Sequence, residues 1–116
     1  MKTAINAGDQ NQSVLRICRE LLVRLKRKVD VVRMYAYGSR VRGDFVLGSD
    51  LDLVVELRDF SLKNKHTVHD VAWEIGMEEG VVISVIVVSE ELFEHGLVSN
   101  LPFACNVKRE GIEIAA

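Results

Sequence analysis

The 116 residues carry a formal net charge of -2, with 48% hydrophobic and 28% charged residues, the balance of one ordinary globular domain spanning 1–116. That balance excludes a disordered or fibrous chain and argues against a protein that coats nucleic acid. The longest apolar runs, Leu53 to Val55 and Val85 to Val88, fall far short of the roughly 18 residues of a membrane span.

The opening stretch MKTAINAGDQNQS lacks the apolar centre of a secretory signal and contains Asp9, so the expected compartment is the cytoplasm. From 13 to 28, SVLRICRELLVRLKRK sets Val14, Cys18, Leu21, Leu22 and Leu25 on one stripe, which predicts a helix with Ser13 as its N-cap. Arg24, Lys26, Arg27 and Lys28 crowd its last turn, where cations suit the helix dipole; a phosphate-facing or partner-facing patch is the rival reading. Cys18 and Cys105 have no Cys-x-x-Cys spacing and read as plain buried thiols.

VVRMYAYG, 31 to 38, alternates, and LDLVVEL, 51 to 57, is nearly continuously apolar; both read as strands of one sheet. A second helical stripe runs from Leu62 to Glu79 with Gly80 as C-cap, followed by a buried strand over 81 to 88. Ser89 is positioned to cap a short turn over EELFEHG, and NLPFACNVKREG predicts a last helix, with Pro102 in its first turn and Gly111 just past its end. Helices alternating with strands in this way pack against a small sheet.

The chemistry concentrates in the segment from Tyr37 to Val55, YGSRVRGDFVLGSDLDLVV. Gly38 permits a sharp turn and close ligand approach. If Ser39 opens a short helix through Arg42, its N–H groups suit a phosphate, with Gly43 ending the turn. Asp50 and Asp52 are two apart, so on a strand they share a face, with Cα atoms roughly 6 to 7 Å apart. Leu51 and Leu53 point the other way, into the core, and hold the two carboxylates against each other. A divalent cation completed by water and phosphate oxygens relieves that repulsion.

Gly38-Ser39, ten intervening residues and Asp50-x-Asp52 together resemble the signature of the DNA polymerase beta-like nucleotidyltransferase superfamily, specifically its minimal nucleotidyltransferase branch. GSRVRG is similar to the Gly-Ser-x-Ala/Val-Arg-Gly form of that family and SDLDLVV to its Ser-Asp-x-Asp-Leu form. The likeness covers about residues 13 to 90, and PFACNVKREGIEI is similar to a tail of short members. It implies an α+β fold, a small mixed β-sheet with helices packed on it. It also implies transfer of a nucleoside monophosphate, AMP from ATP or the equivalent from another NTP, to a hydroxyl. Asp50 and Asp52 are then the catalytic and metal ligands for Mg²⁺ or Mn²⁺, with Gly38 and Ser39 on the nucleotide phosphates. Arg40 and Arg42 suit the same phosphates, or pair with Asp44 or Asp50 on the surface. For stand-alone members the resemblance implies a helical HEPN-type toxin as partner, one tyrosine of which is adenylylated; a homo-oligomer stays open.

The sequence departs from the pattern on the next strand, where catalytic relatives carry a third carboxylate and this chain has Ser84. No acidic residue occurs between Gly80 and Ser89. A neutral hydroxyl is a poor metal ligand and no general base. The alternative is therefore a catalytically degenerate nucleotide-binding or partner-binding antitoxin or scaffold; Ser84 also reads as a small buried residue bonded to backbone. Glu56, about 13 Å along the strand from Asp52, and Glu78 and Glu79 at a helix end replace nothing obvious. His66 and His69 read as a solvated helix face, His95 as a loop residue, and Tyr35 and Tyr37 as packing.

Overall fold

The computed structural model describes residues 2–37 and 50–115, with side chains from Ser13 onward. Helix α1 spans Lys2–Lys26, strand β1 Val31–Tyr37, β2 Leu51–Leu57, helix α2 Leu62–Glu79 and β3 Ile83–Ser89. A π-helical turn (Glu91–His95), a 3-10 turn (Leu97–Asn100), helix α3 (Pro102–Glu110) and the two-residue strand β4 (Ile112–Glu113) follow. The sheet order is β3-β2-β1-β4, with β1 antiparallel to β2 and β4, and β2 parallel to β3. The architecture is the expected α+β class with a small mixed sheet.

The period-two pattern divides β1 and β2 between two faces. Met34, Ala36, Leu51, Leu53, Val55 and Leu57 face α1 and α2, where they meet Leu21, Leu25, Val68 and Ile75 in the larger core. Tyr35 and Val54 face the other way, onto Phe93, Ala104 and Val107 of the C-terminal segment. The last third of the chain therefore covers the second face of the sheet.

Local chemistry explains the boundaries of α2. The Ser61 hydroxyl accepts the Asn64 N–H at 3.0 Å, and Gly80, at φ 70, ends the helix in the left-handed conformation that suits glycine. Two bidentate ion pairs join the two helices: Arg24 to Glu78 at 2.8 and 3.0 Å, and Arg16 to Glu79 at 2.7 and 3.3 Å.

Four sequence expectations are corrected. The strand expected to be buried over 81 to 88 is the edge strand β3, whose residues are half-buried or exposed. Helix α1 begins at Lys2, so Ser13 lies inside it rather than capping it; the Asn- and Gln-rich stretch before Ser13 carries no breaker strong enough to stop the helix. Cys105 is exposed, because Ala104 and Val107 take the inward side of α3. Ser84 is also exposed rather than buried. The strand β4 and the 3-10 turn carry too few residues to register as a period. The proposed short helix from Ser39 to Arg42, and Gly43, lie outside the described residues.

Candidate active site

Asp50 stands immediately before β2 and is exposed; Asp52 is its second residue and half-buried. Asp52 is flanked on both sides in register, by Tyr37 across the antiparallel ladder and by Ser84 across the parallel one. Neighbouring strands lie about 4.8 Å apart, so Tyr37, Asp52 and Ser84 form a row on the face opposite the larger core. Leu51 and Leu53, at 1% and 0% exposure, anchor the alternation that turns Asp52 outward.

Two effects push the Asp52 carboxyl above its ordinary value: first its partial burial, then the charge of Asp50. The Tyr37 phenol is raised likewise, by burial and then by the Asp52 charge. Burial first, and the neighbouring negative charge second, thus disfavour ionisation of both groups. Among the described residues no Lys or Arg lies within salt-bridge distance of either aspartate. Two carboxylates repelling each other on an open face fit a divalent cation with oxygen ligands. Gly38, Ser39, Arg40 and Arg42 lie outside the described residues.

One wall of the acidic row is aromatic. Tyr37 meets Phe103 of α3 edge-on at 6.2 Å between ring centroids, and Phe103 meets Phe93 at 6.4 Å. The other wall is β3, where Ser84 is flanked by Val82 and Ile86, both exposed on the same face. His66, His69 and His95 are all exposed, and no group of three or more His, Cys, Asp or Glu suited to a metal occurs among the described residues.

The basic turn after α1 is far from this row. Lys26, Arg27 and Lys28 line a shallow concavity beside Val31, and Val31 pairs with Leu57 at the other end of β2, about 17 Å from Asp52 at the strand rise. It does not face a phosphate held by the aspartates. Glu78 and Glu79 are engaged by Arg24 and Arg16 of α1.

Sequence reasoning set Glu56 aside and missed its burial against Glu94. Glu56, fully buried, points to the same face as Asp52 but lies beneath the π-helical turn, with neither carboxylate oxygen hydrogen-bonded. Its neighbours are Arg33 at 3.9 Å and Glu94, which itself lies 3.6 Å from Arg33 and 3.4 Å from Lys108. Burial first, and then the Glu94 charge, raise the Glu56 carboxyl far above the carboxylate range. The available signal was a Glu four residues past Asp52 in a mostly apolar strand.

Residues 18–108 match the family model of the nucleotidyltransferase domain. A Methanocaldococcus jannaschii protein named "putative protein adenylyltransferase" is 38% identical over 82 residues, which cover 70% of this chain and 75% of that one. A crystal structure titled as a "putative nucleotidyltransferase", from Sulfolobus solfataricus, superposes with a TM-score of 0.57 over 92% of this chain and 84% of its own; at 14% identity this likeness concerns the fold. The chain belongs to the nucleotidyltransferase domain family. Its members generally use a divalent metal and act on nucleoside triphosphates.

Proposed function

We propose that this nucleotidyltransferase-family chain moves AMP from ATP onto a protein hydroxyl, with Mg²⁺ or Mn²⁺ held by Asp50 and Asp52. The single observation carrying this reading is the Asp50–Asp52 pair, an exposed and a half-buried carboxylate at an outward-facing row, which a divalent cation would neutralise. The ion supplies charge neutralisation at the triphosphate, which accounts for much of the catalysis in such transfers. In the reaction the acceptor oxygen bonds to the α-phosphorus, the bond from that phosphorus to the pyrophosphate oxygen breaks, and the hydroxyl proton is released. Gly38 and Ser39 hold the phosphates, and Arg40 and Arg42 orient their oxygens.

The name of the archaeal relative supports a protein as acceptor. The resemblance to stand-alone members supports a tyrosine of a helical HEPN-type partner, in a cytoplasmic toxin-antitoxin pair. Incubation of the protein with α-labelled ATP, Mg²⁺ and such a partner tests this. Label is expected in the partner with the wild type and not with Asp52→Ala; equal labelling, or none with either, removes the enzymatic reading.

The second reading is a module that binds nucleotide and partner without chemistry. Ser84 favours it, because a neutral hydroxyl stands beside Asp52 where a third carboxylate would assist. Calorimetry that finds Mg²⁺-dependent ATP binding with no turnover supports it.

A further inference from the structure

β3 is an edge of the sheet, and its backbone bonding can be assigned residue by residue. Leu51 N–H donates to the Val82 carbonyl at 2.9 Å, and β2 and β3 pair in parallel register. Ser84, Ile86 and Val88 therefore spend their backbone groups on β2, and those of Ile83, Val85 and Val87 point away from the sheet. Among the described residues no backbone group bonds to these three from outside. Protein edges are usually blunted by charge, proline or a bulge. β3 reads ISVIVVS, seven residues without a charge or a proline.

From this edge, unpaired among the described residues, we infer that the acceptor segment docks as an added strand alongside β3, which delivers a tyrosine hydroxyl to the Asp52–Ser84 row. This rests on the proposed transfer to a protein hydroxyl. A residue opposite Ser84 on such a strand lies two strand spacings from Asp52, about 10 Å, and its side chain faces the acidic side. A tyrosine ring carries its hydroxyl most of that distance; the hydroxymethyl of serine does not. The neighbouring residue points to the opposite face, toward a groove of about 320 Å³ between α2 and the start of β3. Trp73 and Met77, 67% and 66% exposed, line it, and α2 approaches so closely there that a Cβ on Gly76 would meet the Val81 carbonyl oxygen at 2.8 Å. An apolar side chain beside the tyrosine fills this groove. The occupant is thus an extended, uncharged segment with a tyrosine next to an apolar residue, the general mode of strand addition.

The test uses the full chain with α-labelled ATP, Mg²⁺ and two acceptors: tyrosinamide, and a valine- and threonine-rich heptapeptide with a central tyrosine. The peptide is made unmodified and with a single N-methyl amide at each position in turn. Expected is a peptide kcat/KM at least tenfold above tyrosinamide, and a loss of tenfold or more at alternate N-methyl positions only; the phase of alternation gives the strand direction. Val85→Pro, which removes an outward N–H and leaves the β2 ladder intact, should abolish the peptide's advantage while tyrosinamide labelling continues. Labelling of peptide and tyrosinamide with equal efficiency, or no alternation, overturns strand addition and leaves the transferase standing. No label in either acceptor removes both. A dimer in sedimentation that Val85→Pro dissociates and the peptide does not compete assigns the edge to a second copy and overturns the proposal.

Discussion

Ser84 stands directly across the parallel ladder from Asp52, one strand spacing away on the same face of the sheet. The position lacking an expected carboxylate is therefore beside the carboxylates present, and exposed. Ser84→Asp is expected to increase AMP transfer about a hundredfold, the lower end of what a positioned general base supplies. Initial rates with labelled ATP across Mg²⁺ concentrations measure it. An unchanged rate would separate the missing carboxylate from the activity.

Glu56 makes stability depend on pH in the direction opposite to an ordinary salt-bridged carboxylate. Burial and Glu94 raise its folded value from 4.5 to about 7. The folded state therefore holds a proton that the unfolded chain releases, and stabilisation complete below about pH 4.5 is lost as pH rises through about 7. Glu78 and Glu79, lowered by Arg24 and Arg16, act the other way and lose their share in acid. Urea melts of the wild type should show lower stability at pH 8 than at pH 5.5, and Glu56→Gln should recover about 1 to 3 kcal/mol at pH 8.

Phe93 seals the second face. It is fully buried, 6.2 Å from the Tyr35 ring and beneath the Lys108 ammonium at 4.8 Å. Phe93→Ala should cost about 3 to 5 kcal/mol, read as a shift in the denaturation midpoint, and should admit water to Glu56 so that the pH dependence above flattens.

The α1–α2 ion pairs contribute little by comparison. Arg24 and Glu78 are bidentate but solvent-accessible, at 31% and 53% side-chain exposure. Arg24→Ala should shift the denaturation midpoint only slightly, and by less again in high salt. Melts at low and high ionic strength test both parts.

Much of the fold was legible because its signals are local. Helix α2 reads from its stripe and from Gly80 at its end; the strands read from β-branched runs, while the Ser61 cap was found only in the structure. The length of α1 was not, since its first half has no apolar stripe to mark it. The outward turn of Asp52 was legible because a strand's period sets it opposite Leu51 and Leu53; Asp50 stands just before the strand. Glu56 was passed over because the strand pattern shows that it alternates with Leu57, and not that a π-helical turn some 35 residues later closes over it.

The order of residues along β2 by itself determined that Leu51 and Leu53 go inward and that Asp52 goes outward, since alternation needs nothing beyond the backbone. Only the tertiary structure decided which residues meet. Pairing β3 in parallel with β2 placed Ser84 beside Asp52 and left Ile83, Val85 and Val87 with outward backbone groups. Folding the C-terminal segment over the second face buried Glu56 against Glu94. Register and burial depend on contacts between segments far apart in the chain, and their energies are carried by no single stretch of it.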